Sequence, residues 1–150
     1  MIRKIAVLGL LVFMSGCSIT QKVEPVASYG SDKLCVIEND DVREGFLDAL
    51  ESSLAGQRID YTVVDGGAVP KACQWTLTYT ANWRWDLAIY MAYAEIKVFE
   101  GRSQKGGATY DAMRGGANMN KFIDAEDKIR ELVNELFGNQ SAALYRRFVG

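Results

Sequence analysis

The side chains able to do chemistry in this 150-residue chain are few, and the first is the thiol of Cys17. It follows Arg3, Lys4, an apolar run from Ile5 to Met14, and the small pair Ser15-Gly16. A basic pair, an apolar stretch too short to span a ~30 Å hydrocarbon core as a helix, and a small-small-Cys ending are the marks of a bacterial lipoprotein signal. Met14 stands where Leu is commoner, but it is equally apolar and unbranched. The expectation is that residues 1–16 are removed as a signal peptide and that the Cys17 thiol takes a diacylglyceryl group. Acyl chains of the palmitate kind hold by about 0.8 kcal/mol per buried methylene, so a multiply acylated Cys17 is a durable membrane anchor. Ser18, not Asp, follows the cysteine. By the sorting rule of enteric Gram-negative lipoproteins, that places the protein in the periplasmic leaflet of the outer membrane.

Two other thiols remain, Cys35 and Cys73. In an oxidising compartment an even remainder reads as a Cys35–Cys73 disulfide, whose loop closure contributes ~4 kcal/mol by the chain-entropy argument. The alternative is a pair of separately buried thiols acting as small apolar residues. No histidine occurs, which removes Ser-His-Asp and Cys-His catalysis and most zinc sites. Acid–base work would fall on carboxylates such as Glu38, Asp86 or Glu95, which spacing alone does not pair. The glycine pairs Gly66-Gly67, Gly106-Gly107 and Gly115-Gly116 match no Walker or dinucleotide pattern and read as turns. The expectation is a protein without catalytic residues, metal or cofactor.

The most unusual stretch of the mature chain is Trp83-Arg84-Trp85-Asp86, two indoles with a cation and a carboxylate at the end of an alternating segment. Trp and Arg anchor protein interfaces, and indoles stack on sugar rings, so these four residues are the candidate binding site. The competing reading has Trp75 and Trp83 filling core and Trp85 covering the end of a sheet.

The elements that position these residues follow from periodicity. Residues 17–33 comprise the lipidated cysteine and a segment with Pro25 and Gly30 but no helical period, read as a flexible tether. Residues 34–138 form one α/β domain. Lys33–Glu38 is a first, central strand; Asp41 and Glu44 have capping-box spacing before a helix bearing Phe46, Leu47, Leu50 and Leu54 up to Gly56. Asp60–Asp65 is a second strand, parallel to the first by the crossover rule. Cys73–Trp85 and Ala88–Glu100 alternate as an antiparallel pair turning near Asp86, with another turn at Gly101–Gly107 and a fifth strand at Ala108–Met113. Lys121–Phe137 is a helix with Phe122, Ile129, Leu132, Val133 and Leu136 on one face and Gly138 as its stop. The fold class is α+β, a two-layer α/β sandwich with a mixed five-stranded sheet. Its elements run β-α-β-β-β-β-α, both helices lie on one face, and a Thr-rich face is left open. Residues 139–150 are a tail, with Leu144, Tyr145 and Phe148 at helical spacing.

The net charge is −2; losing Arg3 and Lys4 with the signal leaves 15 basic against 19 acidic residues. No basic cluster suits nucleic acid, and nothing but Cys17 holds the membrane.

The runs CVIEND-DVREGFLDAL, YTANWRWDLAIYMAYAEIKVFEG and KFIDAEDKIRELVNELF together resemble a family of small Gram-negative lipoproteins, over about Leu34–Phe137. That resemblance implies a lipid anchor and an envelope location, with no assigned biochemical activity and no catalytic residues to carry over. The expected role is a non-enzymatic module binding an envelope protein partner at the outer membrane. The alternative is a module binding peptidoglycan or another envelope glycan.

Overall fold

A computed structural model describes residues 18–30 and 32–148, with side chains as far as Gly138. The Cys17 site and the side chains of the 139–150 tail lie outside the described residues.

Period-two alternation in Trp75–Asp86 (β4) and Ala88–Glu100 (β5) makes a long antiparallel hairpin, the centre of the sheet. Ser103–Asp111 (β6) pairs with β5 on one side. On the other, Leu34–Ile37 (β2) lies between β4 and Tyr61–Val64 (β3), parallel to both. The crossover from β2 to β3 is the helix Phe46–Gly56 (α1), and a second helix, Ala125–Phe148 (α2), follows β6. With Thr20–Glu24 (β1) the mixed sheet has six strands, ordered β1-β6-β5-β4-β2-β3.

The core lies between the sheet and both helices. Leu34, Val36, Leu77, Ile96 and Val98 from the sheet meet Leu50 and Leu54 of α1 and Ile129, Leu132 and Leu136 of α2. These side chains are essentially inaccessible, and each contributes about 1.5–3 kcal/mol by leaving water. The α+β class and the two-helix layer match the sequence reading. β2 is buried on both parities, as its unbroken apolar run predicted. Cys35 and Cys73 are bonded, with Cα atoms 5.8 Å apart, tying β2 to the end of the β3–β4 loop.

Several boundaries differ from the sequence reading. The segment taken as a tether contains β1, which pairs antiparallel with β6. β1 lacks apolar alternation because it is an edge strand held by polar contacts to α2. The Gln21 amide donates to Glu131 at 2.9 Å and to Glu135 at 3.1 Å, and Lys128 donates to the Gln21 carbonyl at 2.9 Å. Lys128 and Gln21 hold the Glu131 carboxyl below its usual range. Val26 is buried, and the Tyr29 ring stands edge-on to Trp75 at 5.0 Å and to Phe137 at 5.8 Å.

Gly106-Gly107 is not a turn but lies inside β6, which starts at Ser103. A Cβ on Gly106 would come 2.8 Å from Val26 Cα, so the glycine admits the backbone that leaves β1. The Asp41/Glu44 capping box does not form; α1 begins at Phe46 after Gly45, which takes φ 91° and offers no side-chain cap. α2 starts at Ala125, preceded by a 3₁₀ turn at Met119–Lys121. It runs through Gly138 to Phe148, since the residues that follow are compatible with helix and one interior glycine costs only ~1 kcal/mol.

Candidate functional site

The outer end of the β4–β5 hairpin carries the segment singled out in the sequence, and the structure divides its four residues. Trp83 is half-buried, its ring edge-on to Phe46 of α1 at 6.4 Å. Trp85, two residues on and of the same parity, is 73% exposed. Arg84 is exposed, with Nη2 3.8 Å from the Met113 sulfur. Asp86 accepts a hydrogen bond from the Lys121 ammonium. The candidate quartet is therefore one packing residue, one charged contact, one exposed indole and one half of an ion pair.

Sequence reasoning missed what holds this end in place. Lys121 is only 3% exposed, and besides Asp86 its ammonium donates to the Gly116 carbonyl. It also lies 5.4 Å from the centroid of Tyr90 and 5.2 Å from that of Phe122, within cation–π range. Tyr90 and Phe122 meet edge-on at 5.4 Å. The segment after β6 is thereby clamped across the outer end of the hairpin. β5 is locally irregular between the partners of Asn82 and Trp83, and Tyr90, Met91 and Ala92 are buried in succession. A strict alternation could not have shown this, because a bulge resets the parity.

Beyond the clamp the surface is apolar. Leu87 is 81% exposed, Ile89 59% and Met119 67%, and Met113 is partly exposed beside Arg84. Leu87 also occupies the hairpin turn at φ 63°, a conformation that favours Gly or Asn and costs a branched side chain roughly 1 kcal/mol. The one sequence signal for it was the turn Asp86-Leu87-Ala88, which contains no glycine, asparagine or proline.

The other candidate surface is the open sheet face. Thr76 and Thr78 are half-exposed and Thr80 and Asn82 exposed, opposite Phe99, Lys97, Glu95 and Tyr93 of β5. Lys97 pairs with Glu95 at 2.7 Å, and the Tyr93 hydroxyl donates to Glu95 at 3.1 Å. Of the three carboxylates considered for acid–base chemistry, Asp86 is held by Lys121 and Glu95 by Lys97 and Tyr93. They sit six ladder steps apart, ~20 Å, well beyond the 5–9.5 Å of a glycosidase pair. Glu38, at the end of β2, is across β4 from Glu95. Among the described residues no three His, Cys, Asp or Glu side chains gather as metal ligands, and no helix is long and apolar enough to cross a membrane.

Compared with known proteins, the chain matches no protein-family model and no curated protein sequence. It does share its fold with solved structures of the PelC dodecamer from Paraburkholderia phytofirmans. A single-substitution variant of that protein superposes with TM-score 0.51 at 12% identity, covering 79% of this chain and 94% of the other. A second PelC dodecamer structure gives TM-score 0.50 at 14% identity with the same coverage.

Proposed function

We propose that this chain is a lipid-anchored envelope-assembly protein, held at the periplasmic face of the outer membrane by acylated Cys17 and acting by binding protein rather than by catalysis. The observation that carries this reading is the fold likeness to PelC, a protein that assembles as a dodecamer, over nearly the whole PelC chain. It suggests that the first protein partner is another copy of this chain. Two further observations support it. Among the described residues the sheet ends at β1 and β3, two edges that a neighbouring copy can extend. The polar face around Thr76, Thr78 and Thr80 is broad and uncovered by either helix. The lipoprotein signal and the resemblance to small Gram-negative lipoproteins support the proposed location.

The test is cross-linking in intact cells from a photoreactive residue at Thr78, with the mass of the extracted protein measured by light scattering. Protein adducts and a mass of several copies are expected. A monomer without protein adducts would overturn the assembly reading. Cys17→Ser is expected to move the protein from the membrane to the soluble fraction.

The exposed Trp85 beside Arg84 favours a second reading, an envelope-glycan module. Retention on purified sacculi that is lost in Trp85→Ala supports it; equal behaviour of wild type and variant removes it.

A further inference from the structure

The apolar end of the hairpin and the N-terminal end of the described chain lie at the same side of the molecule. β1 runs antiparallel to β6 and therefore in the direction of β5, which starts at the hairpin turn. Thr20 pairs with Asp111, and Asp111 with Tyr93, so β1 begins level with Tyr93. From that level, Ser18 and Ile19 continue toward the turn: a Cβ on Gly115 would meet Ile19 at 3.5 Å and Lys121 at 3.6 Å. Tyr93 is five residues short of the start of β5, ~16 Å, and three residues lead from Thr20 back to Cys17, at most ~10 Å. By length alone, those three residues can cover at most about half of the ~20 Å between the levels of Tyr93 and Leu87, which leaves the hairpin end projecting past the anchor point.

We infer that the hairpin end formed by Trp85, Leu87 and Ile89, flanked by Met113 and Met119, is a membrane-inserting wedge that enters the lipid interface beside the anchor. The inference rests on the anchoring reading above and extends it from a point attachment to an oriented one. Five of the six exposed large apolar side chains among the described residues converge here; the sixth, Val69, lies in the β3–β4 loop. A tryptophan at the margin of an aliphatic tip suits the headgroup level, where an indole has an apolar body and a polar N–H. Arg84 and Arg114 are exposed at the same end, neither engaged by a carboxylate among the described residues, and both complement phosphate headgroups. Asp86, the carboxylate next to the turn, is paired with Lys121. Leu87 fits the same account. The fold gains nothing from its exposed side chain and bears its left-handed backbone, whereas a lipid interface rewards that side chain.

The test uses the full chain purified from membranes and reconstituted into phosphatidylethanolamine–phosphatidylglycerol vesicles whose acyl chains are brominated. Bromine quenches tryptophan only at contact, and of the three tryptophans Trp75 is buried and Trp83 half-buried. The expected result is loss of the emission of one tryptophan in three, absent in Trp85→Phe and strongly reduced in Leu87→Asp. Leu87→Gly, which suits the backbone and deletes the side chain, is also expected to lose quenching while folding as well as wild type. Unquenched Trp85 at saturating lipid overturns the wedge. Trp85 emission that is blue-shifted without lipid, in a multimer, overturns it in favour of a second copy covering the tip. The mass of the N-terminal residue is measured separately: an unmodified Cys17 removes the anchor alone, and quenching at excess lipid still decides the wedge.

Discussion

Trp75 and Trp85 stand ten residues apart on one strand, with the same parity, and meet opposite fates. Trp75 is 3% exposed, with Tyr29 edge-on against it, whereas Trp85 is 73% exposed. Both belong to the row that also supplies Leu77, Tyr79 and Trp83. What separates them is cover. α1, α2 and the β1–β2 connection lie over the first half of the hairpin, and α1 reaches as far as Trp83 through Phe46. Beyond it the strand pair is held by Lys121 with Asp86, Tyr90 and Phe122, while Trp85, Leu87 and Ile89 stay in solvent. Apolar alternation therefore states which face a residue takes, not whether anything lies above that face.

Substitutions can break this contrast from either side. Trp75→Ala removes the largest ring of the covered half and is expected to cost about 4 kcal/mol in denaturant unfolding. Cys73→Ala opens the link between β2 and the approach to β4, and a loss of about 3 kcal/mol is expected by the same measurement under oxidising conditions. Asp86→Ala tests whether the projecting end is held by its clamp. It leaves the buried Lys121 ammonium with the Gly116 carbonyl, so a loss of about 2 kcal/mol and faster amide exchange across Ala88–Met91 are expected.

Alkali should loosen the covered end. Burial first, and then the charges of Asp32 and Asp60, push the Tyr29 hydroxyl up to about 12. An unfolded tyrosine ionises near 10, so the native state favours the protonated phenol. Its contribution is complete below about pH 10 and fades as pH rises toward 12. Tyr29→Phe should therefore unfold at a higher pH than wild type in a base titration followed by near-ultraviolet circular dichroism. Last and smallest, Trp85→Ala should change stability by less than about 0.5 kcal/mol, because the folded protein already leaves that ring in water. A larger loss would mean that the projection is part of the fold's own packing.

The sequence made the helix-covered layer legible. Leu34–Ile37, the Phe46/Leu50/Leu54 face, the two long alternating strands and the Ile129/Leu132/Leu136 face all carry one period with apolar residues on it, and local period is what a linear reading detects. β1 carried none. Its register depends on Gln21 reaching Glu131 and Glu135, more than a hundred residues away, and on the missing side chain of Gly106. The candidate site was half legible for the same reason. Its unusual composition was visible in Trp83-Arg84-Trp85-Asp86, but the partner of Asp86 comes from a 3₁₀ turn whose sequence, Met119-Asn120-Lys121, bears no pattern. Leu87 bore no local signal, because neither its exposure nor its positive φ follows from sequence period.

The pairing of β1 with β6 also has a mechanical meaning. A force on the N-terminal end of the chain acts along the length of β1, and the five residue pairs from Thr20–Asp111 to Glu24–Gly107 lie side by side along that direction. Such a ladder is loaded in shear, with its hydrogen bonds sharing the tension, and does not open one rung at a time as it would if peeled. Past it, the pull reaches the close crossing of Val26 over Gly106 and then Tyr29 wedged between Trp75 and Phe137. The chain thus meets traction at its N-terminal end with a graded series of locks, each nearer the core than the last.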